Sequence, residues 1–216
     1  MSEYWIGFIK QRGLSEFLIL AYRKLTSSLI SKKFRSCSNL LLDKDYQING
    51  HKHINIGSLS VGKRFRMEAI AYFGSHEFSP EISIGNNVSF GSDVHIGYVS
   101  RIYIGNNVLC GSHIVILDHD HGRYSGSSGD SNPNEPPANR KLNYSPIIIG
   151  DNVHIGDSVT ILKGVEILSG SLIGAGSVVT KSIPTNSIAV GNPARVIKFY
   201  DTLKYRWITC NPKDSC

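Results

Sequence analysis

Eight histidines, at positions 51, 53, 76, 95, 113, 119, 121 and 154, are the side chains of this 216-residue chain best suited to proton transfer near neutral pH. A neutral imidazole accepts a proton from a weakly acidic hydroxyl at that pH when it lies within hydrogen-bond reach. His119 and His121 stand two residues apart in Asp118-His119-Asp120-His121-Gly122. At strand spacing both rings point to the same side, and Asp118 or Asp120 is placed to orient one of them. The sequence HGRYSGSSGDSNPNEPPANRKLNYSP follows, rich in Ser, Gly, Asn and Pro. A connection of that length without its own periodicity is expected to be functional, here an arm that walls off a site. His51-Lys52-His53 is read as the edge of an N-terminal coil, and His95, His113 and His154 as solvent-facing or at a subunit seam. The cysteines at 37, 110, 210 and 216 show no CxxC and no zinc spacing, which suits a reducing compartment.

The elements that must hold these histidines are set by a repeat. From Ile84 the chain reads IGNNVS, FGSDVH, IGYVSR, then after two extra residues IGNNVL, CGSHIV, ILDHDH; from Ile149 it resumes as IGDNVH, IGDSVT, ILKGVE, ILSGSL, IGAGSV, VTKSIP. Position one is apolar in all twelve units, including Cys110, which is therefore a core residue rather than a nucleophile. A period of six is a multiple of two, so each unit makes a short strand with that residue inward. Gly and Asn next to it permit the positive φ of a corner. Three sides close a triangular coil, and coils stack by parallel pairing. Weaker matches over 54–67 extend the stack.

Composition bounds the rest. At 41% hydrophobic and 19% charged, the chain buries a sizeable core and is not disordered. No apolar run is long enough to span a bilayer. Residues 1–35 carry seven Lys/Arg against two acidic residues, so five of the six net positive charges sit there. That is not the dispersed basic surface of a nucleic-acid binder. Leu14, Phe17, Leu18, Ala21, Leu25 and Leu29 recur at helical steps in the same segment. The helix they predict either packs on the main domain or a neighbouring subunit, or makes a peripheral contact with the anionic inner face of a membrane. Boundaries follow: a basic helical segment over 1–40, a repeat domain over 41–197 with a loop inserted at 122–146, and a tail over 198–216 whose aromatic residues suggest a short capping helix.

DHDHG at 118–122, IGAGSVVTKSIP at 173–184 and VGNPARVI at 190–197, set in these hexads, resemble the hexapeptide-repeat acyltransferases, in particular the sugar O-acetyltransferases of O-antigen, capsule and exopolysaccharide. The resemblance covers roughly 54–197. It implies a mainly β fold, a left-handed parallel β-helix with an N-terminal helix and one long inserted loop. It implies acetyl-CoA as co-substrate, a sugar hydroxyl as acceptor, a homotrimer with sites between subunits, and a cytoplasmic setting, with no metal and no covalent enzyme intermediate. In the similar maltose and galactoside enzymes the base stands sixteen residues after the glycine matching Gly105, which gives His121, with His119 the alternative. Zinc-binding relatives of the repeat carry paired His five apart, whereas His113 and His119 are six apart. The same resemblance gives Ala175, Thr180, Lys181 and Arg195 as coenzyme contacts, the last two meeting phosphate. Asp157 and His154 depart from the serine and tryptophan of those relatives. Tyr124, Arg140 and Tyr144 of the arm are candidate sugar contacts. The other readings are a transferase of another acyl group or to an amino sugar, and a non-catalytic β-helical scaffold.

Overall fold

The computed structural model describes residues 10–11 and 13–210. A helix, Leu14–Ser31, leads into a strand, Ser36–Leu41, that pairs in parallel with Ile54–Val61. The sheet therefore begins before residue 41. From there the chain winds as a left-handed, three-sided parallel β-helix. One face stacks Ile54–Ile56, Glu81–Ile84, Arg101–Ile104, Ile147–Ile149 and Glu166–Ile167. A second stacks Leu59–Val61, Val88–Phe90, Leu109–Cys110, His154–Ile155, Leu172–Ile173 and Ser187–Val190. The third stacks Gln47–Asn49, Arg66–Ala69, His95–Tyr98, Val115–Leu117, Thr160–Ile161 and Val178–Val179.

Every position-one residue is buried, and each face contributes one inward column. On the third face that column is Ile48, Met67, Ile96, Ile116, Ile161 and Val179. In-register piling of like residues suits the close packing that a protein interior requires. Near the base Ser171 and Ser177 replace the β-branched position-five residues. Their hydroxyls are satisfied internally, by Pro184 O at 2.7 Å and Gly174 O at 2.6 Å.

The corners work differently from the sequence expectation. Positive φ falls on position four: Asn87, Asp93, Asn107, His113, Asn152, Ser158, Gly164, Gly170 and Gly176. The position-two glycines have ordinary φ and are required by space instead. A Cβ on Gly85 would stand 2.7 Å from Gly105 O of the next coil, and one on Gly91 2.8 Å from Gly111 O. Position two is where successive coils touch.

Two further expectations are corrected. Among the described residues the tail is not a capping helix. Arg195–Asp201 turns back antiparallel on Ser187–Val190, and Arg206–Thr209 pairs with it in turn, with Tyr200 and Trp207 packed at 5.3 Å. This hairpin occupies the edge that the last coil would leave open. The helix does not bury its apolar stripe on the main domain: Leu14, Leu18, Leu25 and Leu29 are exposed, and Arg23 and Ser27 on the opposite side make contacts to Leu42 and Asp43. Cys37 and Cys110 are free thiols, whereas Cys210 is disulfide-bonded, which the cysteine spacing gave no sign of. Among the described residues no helix is long and apolar enough to cross a membrane.

Candidate active site

The strand Val115–Leu117 ends the hexads on the third face, and the chain leaves the prism at Asp118. His119–His121 then pairs antiparallel with Leu142–Tyr144, with His119 opposite Tyr144 and His121 opposite Leu142. Asp118 is fully buried. Its carboxylate closes the corner where the preceding coil carries its two extra residues: Oδ1 accepts from Val99 N at 2.9 Å and Oδ2 from Ser100 N at 2.7 Å. The same Oδ1 lies 3.0 Å from His119 Nδ1. Since an ionised carboxylate only accepts, Nδ1 carries the hydrogen and Nε2 is left with its lone pair. The His119 side chain is 9% exposed. His121 is exposed, its ring centroid 6.5 Å from that of His119. As the spacing predicts, the two rings share one side.

A second excursion, missed in the sequence, forms the opposite wall. Residues Tyr72–Phe73 and His76–Glu77 make a small hairpin between two hexads. Phe73 meets the His121 ring edge-on at 5.0 Å, and Phe78 meets Tyr144 at 5.7 Å. The signal was present in the Gly, Ser and Pro of Phe73–Pro80, but an interruption between Arg66–Ala69 and Glu81–Ile84 is easily taken for a degenerate repeat.

His95 is half-buried, with Nε2 3.2 Å from Glu68 Oε2, which Arg66 also contacts at 2.6 Å. Between His95 and His119 lies Gly97. A Cβ there would sit 3.6 Å from both His119 Cε1 and His95 Nε2, and 2.9 Å from Leu117 Cδ2. Its φ is ordinary, so this glycine is the floor between two imidazoles, each with a carboxylate partner. Tyr98 follows it inward. Its hydroxyl is buried without a hydrogen-bond partner, and burial, with the Asp118 charge nearby, pushes the phenol far above its ordinary range.

The arm residues divide. Tyr124 donates to His121 O at 2.6 Å, and Arg140 Nη1 donates to Tyr124 Oη at 2.7 Å while its other nitrogens bind Glu135 O and Pro133 O. These two polar groups hold the arm's own shape and the strand of His121. Tyr144 is exposed beside Phe78. Lys163, one coil below, is paired with Asp120 and ties the root of the arm to the prism.

The four coenzyme candidates are all exposed and lie around the base of this same third face. Ile116, Ile161 and Val179 are in register, so Lys163 and then Thr180-Lys181 follow the arm's exit along one edge. At the spacing of stacked strands Thr180 and Lys181 lie roughly 10 Å, two rungs, from that exit. Ala175 and Arg195 lie at the other edge: Arg195 pairs with Val190, which packs against Gly174. Arg195 Nη1 donates to Ala194 O at 2.8 Å. Asp157 accepts from Ser112 N at 2.6 Å, part of the corner ladder between coils. Among the described residues no group of three or more His, Cys, Asp or Glu is placed to hold a metal ion.

With this geometry in view, three comparisons bear on the chain. Residues 146–181 match the family of bacterial transferase hexapeptide (six repeats). WbbJ of Escherichia coli strain K12, named as a lipopolysaccharide biosynthesis O-acetyl transferase, is 37% identical over 159 residues, covering 71% of this chain and 78% of WbbJ. The galactoside O-acetyltransferase of the same strain is 34% identical over 163 residues, covering 63% of this chain and 78% of that one. The crystal structure of a maltose O-acetyltransferase from Clostridium difficile 630 superposes with a TM-score of 0.52 at 25% identity, over 91% of this chain and 88% of the other.

Proposed function

The chain belongs to the hexapeptide-repeat acyltransferases, and from that premise we propose that it transfers an acetyl group from acetyl-CoA to a hydroxyl of a cell-surface polysaccharide sugar. The observation that carries this reading is the cluster at the root of the arm: His121 open, His119 held by buried Asp118, both where the chain leaves the prism face whose lower edges carry Thr180, Lys181, Ala175 and Arg195. His121 takes the proton of the acceptor hydroxyl as its oxygen attacks the thioester carbonyl. The carbon–sulfur bond breaks, and the proton passes from the imidazolium to the departing thiolate. Donors near the carbonyl oxygen stabilise the charge that develops there. His121 fits the base because it is accessible, whereas His119 is almost enclosed. A small-residue corner at Ala175-Gly176 suits a thin pantetheine arm, and the Lys181 and Arg195 cations suit its phosphates. The names of the relatives, with galactoside and lipopolysaccharide among them, support a sugar acceptor.

A second reading of the base rests on the Asp118–His119 contact. Of the two imidazoles, His119 is the one with a carboxylate fixing its tautomer, the arrangement a general base uses. Assembly as a trimer belongs to the same proposal, supported by apolar side chains left on the prism exterior at Tyr103, Leu109, Ile148 and Leu168. The setting we infer is the cytoplasmic side of the membrane.

Purified protein is mixed with acetyl-CoA and a panel of free and lipid-linked sugars, and thiol release is followed. Release that depends on a sugar is expected. His121→Ala is expected to lower kcat by about 10²–10⁴. Full activity in His121→Ala with loss in His119→Ala transfers the role to His119. Absence of sugar-dependent thiol release with any acyl-CoA overturns the proposal.

A further inference from the structure

We propose that the outward face of the N-terminal helix lies on an anionic lipid surface. The rotation of the helix is fixed by polar contacts on one side. Arg23 Nε donates to Leu42 O at 3.0 Å and its guanidinium pairs with Asp43 at 3.4 Å, while Ser27 Oγ accepts from Leu42 N at 2.9 Å. At 100° per residue, Leu14, Leu18, Tyr22, Leu25 and Leu29 then fall in a wedge of about 80° opposite Arg23 and Ser27, with Leu18 and Tyr22 also lining a cleft beside Asp43–Tyr46. They are exposed: Leu18 57%, Tyr22 68%, Leu25 63%. A protein surface rarely leaves such a row uncovered without a partner.

The charges select the partner. Lys24, Lys32 and Lys33 are exposed on or just after the helix. Its one acidic residue, Glu16, lies roughly 160° around from Leu18, on the docked side. An apolar stripe bordered by lysines is the pattern of a helix lying in the plane of an anionic interface. Pairing with a second copy suits it less. In a parallel pairing, symmetry would bring the Lys32-Lys33 pairs of the copies together. The a/d spacing also runs only from Leu18 to Leu29, two repeats, short of the three or four that a coiled coil needs. The helix is not of the membrane-spanning kind. This inference does not rest on the catalytic reading: lipid binding requires neither acyl-CoA nor a sugar.

The test is co-flotation of the full chain with vesicles of phosphatidylcholine alone or with a third phosphatidylglycerol. Binding to the anionic vesicles is expected, with little to the zwitterionic ones and loss at 0.5 M salt, roughly a threefold shorter screening length than at 0.05 M. Lys32→Gln/Lys33→Gln is expected to weaken binding roughly 30-fold. Leu18→Glu/Leu25→Glu should abolish it with unchanged circular dichroism and sedimentation coefficient, since both side chains are exposed. Failure of the wild-type chain to float with anionic vesicles overturns the proposal. So does a Leu18→Glu/Leu25→Glu variant that still floats but sediments as a smaller species, which would assign the face to a second copy.

Discussion

Asp118→Asn changes one atom and separates what the buried carboxylate does. Asp118 accepts three hydrogen bonds, from Val99 N, Ser100 N and His119 Nδ1. An asparagine has one accepting oxygen and one NH2 group. With its oxygen at the Oδ1 position, it keeps Val99 and His119 but points NH2 at the Ser100 N–H. With its oxygen at Oδ2, it keeps Ser100 but points NH2 at the Val99 N–H, and His119 must change tautomer. Either way one charge-assisted bond is lost and two donors face each other beside a fully buried group. Bonds to charged groups contribute about 1.5–3 kcal/mol each, so the expected loss of stability is about 2–4 kcal/mol. For a chain of this length that lowers Tm by roughly 5–15 °C. Thermal unfolding followed by circular dichroism measures it. Because two of the three donors are backbone amides, more than half of the loss should persist when the same change is made in a His119→Ala background. An Asp118→Asn protein that melts within about 2 °C of the wild type would show that the corner does not depend on the carboxylate charge, and the account of why Asp118 is buried would fail.

Gly97→Ala places a methyl between His95 and His119, with the end of Leu117 able to give way. Its Tm is expected to change little, while kcat/KM for the acceptor falls at least about tenfold from misplacement; an unimpaired enzyme would remove Gly97 from the floor of the site. Tyr98→Phe deletes a buried hydroxyl that has no partner. It should raise stability by about 1 kcal/mol, read as a Tm increase of roughly 2–4 °C, and a decrease would reveal a bond to that oxygen. Burial pushes the Cys110 thiol far above its ordinary range, so it should stay unlabelled by a thiol reagent at pH 8 until the chain is unfolded, whereas rapid labelling in the native state would place it outside the core column.

The β-helix was legible in the chain because its signal is redundant. Twelve apolar residues, six apart within each run, state the same instruction, and burying Ile84 or Ile173 requires no knowledge of what surrounds the other. The corner mechanism was not legible at that level. Asn at position three or four and Gly at position two look equally turn-forming in sequence, and only the stacking shows that one takes the left-handed conformation and the other makes room for the coil beside it. The same distinction explains the helix. Its period showed which residues share a stripe, but the side that docks is chosen by Arg23 and Ser27, whose partners Leu42 and Asp43 lie outside the helix.

The site follows that logic at closer range. That His119 and His121 share a side is a local fact of strand geometry and could be read from two residues. That Asp118 rather than Asp120 holds an imidazole depends on an irregularity in the previous coil: the two extra residues at that corner leave the amides of Val99 and Ser100 facing a carboxylate. Asp120 turns outward to Lys163. Glu68, His95 and Phe73 were invisible as site residues because they come from coils one or two rungs earlier, and nothing in a single hexad marks which outward position will face the arm. In a stacked architecture the core is written in one rung, whereas the site is written across rungs. Substitutions at outward positions in neighbouring coils, such as Glu68 and Gly97, should therefore alter acceptor choice while leaving the prism unchanged.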